Sequence, residues 1–461
     1  MALTKHREGS IRELWSLGFP LMLSSFSVMF MLFVDRLLLA RYSTDALNAA
    51  VNATTLGWGF YFGWMVMCSI AEVFVAQYNG ADQKHKFGEP VWQMIWLALA
   101  SVLCFLPLAM WGDKWFYGSS PDYEMERSYF SWMMLFGPSF PLYTALCGFF
   151  VGQGKTRIIT ILAIIANFIN AVLDVILIYG IEGWVPSLGI AGAAIATSGS
   201  GIFQSAVLGY IFLRKENREN HGTANYHFRY KPFLQCIRVG LPGAVFVSCE
   251  SLGWASFYWM MTLVGDTYIT IVGICQSIAI LFYFFAEGIN KASTAIAGNL
   301  IGGKRTNIIK DVLAAGARLH LIFFFALVGL FFLASEQLVL LFLPEEKAFE
   351  LYDSLFICIF FILISLLFEG LRLLLAGILT AAGDTVFLLT AGTLSVWAFL
   401  VLPVYVFVVH GQAPVEVASF FCIFYGACAS VIYLWRFRAG KWKTNSIIIA
   451  TDDAANAVQS L

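Results

Sequence analysis

The sequence predicts an all-α polytopic membrane protein with twelve transmembrane helices in two six-helix lobes that are related by a pseudo-two-fold axis. Of its 461 residues, 59% are apolar and only 12% are charged, whereas soluble chains have about 25% charged residues. Twelve apolar runs are long enough to cross a bilayer, which takes roughly 20 residues as a helix. A formal net charge of −1 provides no basic face for nucleic acid, so we expect no such partner.

The predicted spans form two sets of six. The first set lies near residues 14–38, 47–77, 90–112, 128–152, 157–180 and 189–213, and the second lies near 239–264, 268–298, 315–335, 351–379, 386–409 and 416–437. The longest polar stretch, RKENRENHGTANYHFRYK, separates them. We therefore predict an N-lobe at 1–213, a cytoplasmic linker at 214–235, a C-lobe at 236–440 and a cytoplasmic tail at 441–461.

The two sets repeat one another. LGFPLMLSS opens the first span and VGLPGAVFV opens the seventh, while AQYNGADQKHK in the first set aligns with GNLIGGKRTN in the second. The same offset separates Pro20 from Pro242 and Gly80 from Gly302. Because each motif falls at a comparable place in its set, the repeat is a parallel duplication with its axis along the membrane normal. A cavity between two such lobes is a common site for a transported substrate.

Basic residues predict the orientation of the chain. With both termini cytoplasmic, most Lys and Arg fall on the inner side, and the opposite side has only Arg36, Arg41, Lys114, Arg127 and Lys347. Since Lys and Arg concentrate in cytoplasmic loops, this asymmetry favours an even number of spans with N and C termini inside.

Charged residues inside the spans are the candidate functional groups, because burying a charge in a bilayer is costly. Glu287 and Lys291 are four residues apart, which favours an intrahelical ion pair. Glu72 lies near the end of its span, and the sequence leaves open whether it is solvated, capped or functional. Eight ionisable residues fall in the spans: Asp35, Glu72, Asp174, Glu250, Glu287, Lys291, Glu369 and Arg372.

Two groups of carboxylates stand out among them. In the first set, Asn167, Asn170 and Asp174 share one face of the fifth span, and Asp35 lies at a similar depth in the first. Two such carboxylates could share a proton or hold a cation through oxygen ligands.

In the second set, Glu250 and Glu369 lie away from the span ends, and Arg372 follows Glu369 on the same helix face. A basic neighbour makes a carboxylate a poorer cation site. Gln204 and Gln276 are further polar candidates for lining a cavity.

Catalytic patterns are absent from the sequence. The six histidines form no metal-binding or nucleophile–base spacing, and the nine cysteines, scattered mostly in apolar runs, form no C-x-x-C and no zinc-like spacing. GQGKT resembles the end of a phosphate-binding loop, but Phe149 stands where the first glycine is required. We therefore expect neither an enzyme nor a bound cofactor.

Several segments together resemble one transporter family. These are VDRLLLARYSTDALNAA after the first span, VAQYNGADQ after the second, NFINAVLDVILIYG and SLGIAGAAIAT around the fifth and sixth, LPGAVFVSCESLGW at the seventh, AGNLIGGKR after the eighth and GILTAAGDT after the tenth. Over essentially the whole chain they are similar to the multidrug and toxic compound extrusion (MATE) family. The resemblance implies a V-shaped, two-lobe antiporter that exports organic cations and other amphipathic compounds in exchange for sodium or protons.

The resemblance also implies roles for individual residues. Asp35 matches the first-span carboxylate of the family, and Asn170 with Asp174 match its fifth-span pair. These groups would bind the coupling ion, with Na⁺ as one candidate.

In the second lobe, Glu250 matches the seventh-span glutamate, and Glu369 stands where sodium-coupled bacterial members usually have the aspartate of a D-x-x-Q pattern. Here the pattern is EGLR, so Arg372 replaces the glutamine and would neutralise Glu369.

The sequence is also compatible with a second function, that of a lipid flippase. Flippases for lipid-linked oligosaccharide or peptidoglycan precursors belong to the same wider superfamily, but they usually have about fourteen spans and a cationic cavity. Here only Lys291 and Arg372 are basic residues deep in the spans. We expect a monomer in the inner (plasma) membrane, in contact with lipid, with small amphipathic and cationic substrates.

Overall fold

The computed structural model describes residues 3–118, 120, 122–444 and 447–448. In this part of the chain twelve helices are long and apolar enough to cross a membrane and no strand is formed, which confirms the predicted fold class. We number them α1 Ile11–Tyr42, α2 Thr44–Gly80, α3 Lys84–Tyr117, α4 Tyr123–Val151, α5 Thr156–Tyr179, α6 Ile190–Phe212, α7 Tyr230–Val264, α8 Asp266–Gly302, α9 Thr306–Phe342, α10 Glu345–Ala381, α11 Thr385–His410 and α12 Val415–Ala439.

Serine residues set the limits of the first two spans. Ser10 precedes α1, and its hydroxyl accepts from the backbone N–H of Glu13 at 3.2 Å. Ser43 alone separates α1 from α2: its extended backbone ends α1, and its hydroxyl accepts from the N–H of Ala46 at 3.5 Å. Both serines occupy the N-cap position, where the side chain satisfies an N–H that has no partner within the helix.

Some spans contain local irregularities that hydropathy does not reveal. Helix α3 has a π-helical turn at Leu108–Gly112 directly after Pro107, and α11 has such turns on both sides of Pro403. Proline removes a backbone donor and disturbs the helix around it. Helix α2 has a turn at Ile70, so Glu72 lies in the first turn of its second segment, where the helix dipole favours a negative charge.

Buried apolar side chains form three clusters that define the shape of the molecule. One cluster contains residues of both halves of the chain, and its members within the spans lie at the side of the bundle where α1 begins and α12 ends. The second lies within residues 39–194 and the third within residues 257–429. The two halves therefore pack together at the side where α1 begins and α12 ends and have separate cores at the other side, as the arms of a V.

The contact between the halves follows the sequence repeat. A Cβ atom on Gly80 would lie 1.9 Å from the carbonyl oxygen of Asn299, and a Cβ on Gly302 would lie 1.9 Å from that of Gln77. Gln77 and Asn299 are separated by the same offset as the two glycines. The two contacts are therefore equivalent positions of the repeat, as expected if a pseudo-two-fold axis relates the halves. Glycine is needed at both positions because no side chain fits there.

The polar stretch between α6 and α7 packs along α3. It begins with a short helix, Lys215–Asn220. Beyond that helix, the indole N–H groups of Trp92 and Trp96 donate to the carbonyl oxygens of Thr223 and Tyr226, each at 2.9 Å. The linker is therefore held to the first turns of α3, at the side of the molecule where α1 begins. Most of the predicted tail, residues 445–446 and 449–461, lies outside the described residues.

Candidate functional site

Asp35, Asn170 and Asp174 meet in the first half of the chain. Asp35 lies on α1, and Asn170 and Asp174 are one turn apart on α5, which packs along α1. All three side chains are buried. The hydroxyl of Thr197, on α6, donates to Asp35 Oδ2 at 3.2 Å. We call these four residues the N-lobe cluster, and it joins three helices.

The amide of Asn170 bridges the two carboxyl groups of the N-lobe cluster. With its nitrogen turned toward them, it donates to Asp35 Oδ1 at 2.9 Å and to Asp174 Oδ2 at 3.3 Å, and its oxygen accepts from the backbone N–H of Thr197 at 3.2 Å. The reverse orientation would bring the amide oxygen against the carboxylates, where it has no donor. The bridging orientation is therefore the one assigned from the hydrogen-bond network.

The charge of the N-lobe cluster is not balanced by the protein. The carboxyl groups of Asp35 and Asp174 also interact directly with one another. Two ionised carboxylates so close together in a buried site repel strongly, so the pair requires either a shared proton or a cation. Asp174 Oδ1 is buried and has no hydrogen-bond partner among the described residues. The cluster can therefore take up one exchangeable positive charge.

The other polar candidates lie apart from this cluster. Asn167 is one turn before Asn170 on α5, and its amide donates to the hydroxyl of Ser27 on α1 at 2.5 Å. It therefore joins the same two helices without reaching the carboxylates. Gln204 on α6 and Gln276 on α8 are partly exposed, and neither side chain forms a hydrogen bond to the described part of the chain.

In the second half, Arg372 draws together the two predicted carboxylates. Its Nη2 donates to Glu250 Oε1 at 2.7 Å and to Glu369 Oε1 at 2.5 Å, and its Nε donates to Glu369 Oε2 at 2.8 Å. The hydroxyl of Tyr425 also donates to Glu250 Oε1, at 2.7 Å. These four residues form the C-lobe cluster, which connects α7, α10 and α12.

The guanidinium of the C-lobe cluster is enclosed. Arg372 is only 2% exposed, and it lies 5.8 Å from the ring centre of Phe246 and 5.7 Å from that of Tyr425. Bidentate pairing with one carboxylate and a further hydrogen bond to another are favourable for a buried arginine. A resident positive charge therefore occupies the position between Glu250 and Glu369, where an external cation would otherwise bind.

Two residues of these clusters were not found from the sequence. Thr197 lies in the quoted segment SLGIAGAAIAT, but an isolated threonine in an apolar helix gives no signal of its own. Tyr425 is one of 18 tyrosines, most of which a membrane protein uses for packing or at interfaces. Both are recognised only once the helices that carry them are placed beside the carboxylates.

Twelve spans in two packed halves, with a buried charged cluster in each, are the architecture of a membrane transporter. Within the described residues, no group of three or more His, Cys, Asp or Glu side chains is arranged to hold a metal ion. The MatE family model matches residues 20–176 and 242–406, which is most of both halves. The chain belongs to the MatE family, whose members are transporters and not enzymes.

Similar proteins support this assignment over the full length. The chain is 23% identical over 443 residues to a protein of Thermotoga maritima named probable multidrug resistance protein NorM, covering 95% of this chain and 94% of the relative. A protein of Bacillus subtilis with the same name is 22% identical, covering 86% of this chain and 88% of the relative.

Solved structures show the same fold. A MATE protein in complex with MaL6 matches with a TM-score of 0.84 at 17% identity, covering 94% of this chain and 97% of that one. A transporter of the MOP superfamily from Pyrococcus furiosus, described as having a binding pocket of reverse polarity, matches with a TM-score of 0.81 at 17% identity and the same coverage. A eukaryotic MATE transporter matches with a TM-score of 0.80 at 16% identity, covering 94% of this chain and 96% of that one.

Proposed function

We propose that this protein is a proton-coupled antiporter that exports amphipathic organic cations across the plasma membrane. Relatives that match over nearly the whole chain are named multidrug resistance proteins, which supports drug-like compounds as the substrate class. The observation that carries the proposal is the buried pair of Asp35 and Asp174 bridged by Asn170. The protein would act as a monomer, with its termini in the cytoplasm.

The donor set of the N-lobe cluster favours a proton over sodium. Sodium prefers to be surrounded by several oxygen ligands, as hard cations do. The Asn170 amide instead turns N–H groups toward both carboxylates, and these hydrogens occupy directions from which a metal ion would be coordinated. A proton shared between Asp35 and Asp174 removes their repulsion and needs no further ligand.

Protonation of this pair would be linked to the position of α1. The N-lobe cluster, the Asn167–Ser27 hydrogen bond and the 2.5 Å hydrogen bond from Thr160 to the carbonyl oxygen of Pro20 all connect α1 to its neighbours. A change of charge at Asp35 therefore alters the contacts of a helix that also packs against α8 of the other half. Coupling requires only that proton and substrate favour different arrangements of the halves.

Charge pairing argues against the flippase alternative. An anionic lipid carrier would need basic groups free to bind phosphate. The two basic residues that lie deep in the spans are already engaged: Lys291 with Glu287 at 2.7 Å, and Arg372 with Glu250 and Glu369. A cavity with more carboxylates than basic groups suits a cation.

Efflux from proteoliposomes tests the proposal. Purified protein is reconstituted, and ethidium transport is followed under a pH gradient, a sodium gradient or neither. We expect the pH gradient to drive transport and the sodium gradient to have no effect. Asp174→Asn, which keeps the volume and removes the charge, should abolish driven transport, whereas Asp353→Asn at an exposed position should not. Transport driven by sodium alone, or unchanged in Asp174→Asn, would contradict the proposal.

A further inference from the structure

A third polar cluster lies between the two halves and belongs to neither site described above. Its centre is the ion pair predicted from the sequence on α8, in which Lys291 Nζ donates to Glu287 Oε1 at 2.7 Å. Glu287 also lies near Ser25 on α1, and Lys291 is within electrostatic range of Glu72 on α2. We call Glu72, Glu287 and Lys291 the interlobe cluster, because α2 and α8 come from different halves.

The interlobe cluster lies where the space between the halves narrows. Next to Glu287, Gly288 packs so tightly on α1 that a Cβ there would be 2.8 Å from the backbone nitrogen of Met22. One turn earlier on α8, Phe284 contacts Phe26 of the other half, with ring centres 5.6 Å apart. The side chain of Lys291 is 46% exposed, and it lies within electrostatic range of Glu72 on the other half. The cluster thus forms the floor of the gap between the arms.

When Glu72 is ionised, the charges of the interlobe cluster do not balance. Two carboxylates share one ammonium group, and that ammonium is bonded to Glu287. Glu72 is only 9% exposed, and its Oε1 is buried without a hydrogen-bond partner in the described part of the chain. A buried carboxylate oxygen without a partner is costly. One more positive charge at this floor would therefore be stabilised.

We propose that Glu287 binds the positive group of the transported cation, and that Lys291 competes with the cation for Glu287 and moves to Glu72 when the cation is bound. The inference rests on the proposed function and adds the site of the substrate. The exposed ring of Phe26 and the neighbouring Phe284 would contact the apolar part of the ligand. Aromatic faces attract organic cations, most strongly where water is excluded. The expected ligand is an aromatic ammonium or phosphonium ion.

The competition would also link the substrate to the arrangement of the halves. When a cation binds at Glu287, the Lys291 ammonium is displaced, and its flexible four-carbon stem allows it to move to Glu72. The ion pair on α8 alone would then be replaced by an ion pair between α8 and α2. Because the new pair joins the two halves, substrate binding would favour a different interlobe contact from that of the empty protein.

Equilibrium binding to the purified full-length protein tests this site. The probe is radiolabelled tetraphenylphosphonium, and tetraphenylborate, which has nearly the same shape and the opposite charge, serves as the matched ligand. We expect the wild type to bind the phosphonium and not the borate. Glu287→Gln should weaken phosphonium binding at least tenfold, whereas Lys291→Met should tighten it about tenfold. Gain of affinity cannot result from misfolding. The controls Glu182→Gln and Lys347→Met, both at exposed positions, should leave affinity unchanged.

A double-mutant cycle tests the movement of Lys291. Glu72→Gln should weaken phosphonium binding in the wild-type background, because the displaced ammonium loses its second partner. In the Lys291→Met background the same change should have a smaller effect. Unchanged affinity in Lys291→Met and Glu287→Gln, with normal wild-type binding, would overturn this site and leave the proposed function standing. Failure of the wild type to bind phosphonium would overturn the cationic substrate class as well.

Discussion

Replacing Arg372 with methionine should destabilise the second half of the protein. The guanidinium is 2% exposed and makes three hydrogen bonds of 2.5–2.8 Å to Glu250 and Glu369. Methionine keeps much of the side-chain volume but leaves both carboxylates without a positive partner. Removing one partner of a buried ion pair typically costs about 3–5 kcal/mol, since the remaining charge stays buried.

The expected change in melting temperature follows from the size of the chain. An unfolding entropy of about 2 cal/mol/K per residue gives about 1 kcal/mol/K for 461 residues. A loss of about 4 kcal/mol then lowers Tm by about 4 °C if the whole chain unfolds together, and by about 8 °C if only the second half does.

Thermal unfolding in detergent, followed by intrinsic fluorescence, measures this loss. Arg218→Met in the exposed linker helix is the matched control and should leave Tm unchanged. The double variant Arg372→Met with Glu369→Gln should recover part of the loss, because only one unpaired carboxylate is left. A melting temperature equal to that of the wild type would refute the argument that Arg372 neutralises the pair.

Three further changes test other parts of the structure. Gly302→Val should abolish transport, because its Cβ would lie 1.9 Å from a carbonyl oxygen of the other half and would force the two halves apart. Faster labelling of Cys236 by a thiol reagent should report this separation, since Cys236 is buried in the core that the halves share. Tyr425→Phe removes a 2.7 Å hydrogen bond to a carboxylate and should lower stability by about 1.5–3 kcal/mol, measured as a smaller fall in Tm than in the arginine variant. Burial and the nearby lysines lower the pKa of His221 in the linker. The neutral imidazole therefore stabilises the folded linker near neutral pH, and this stabilisation is lost as the pH falls below about 6.5. Amide hydrogen exchange of residues 221–229, corrected for the intrinsic rate, should become faster at pH 5.5 in the wild type and not in His221→Phe.

The sequence predicted those features that depend on periodicity along one helix. Hydropathy predicted the twelve spans, and spacing predicted that Asn170 and Asp174 share a face of α5 and that Glu369 and Arg372 share a face of α10. Such relations need only the geometry of an isolated helix.

Relations between helices could not be predicted in the same way. The hydrogen bond from Arg372 to Glu250 joins residues on α7 and α10, and the approach of Lys291 to Glu72 joins the two halves. Spacing along the chain carries no information about these distances. The sequence also left open whether Glu72 is solvated, and its burial follows from the packing of α2 against α4 and α8.

In the proposed cycle, binding of the substrate releases the proton that Asp35 and Asp174 share. Proton release on binding tests it most directly: tetraphenylphosphonium is added to detergent-purified protein in a weakly buffered solution near pH 7, and the pH change is recorded with a dye. We predict release of up to one proton per bound cation in the wild type, and none from Asp174→Asn, which should still bind the cation. Absence of proton release in the wild type, or equal release in the variant, would contradict the exchange of a proton at Asp35 and Asp174 for the substrate.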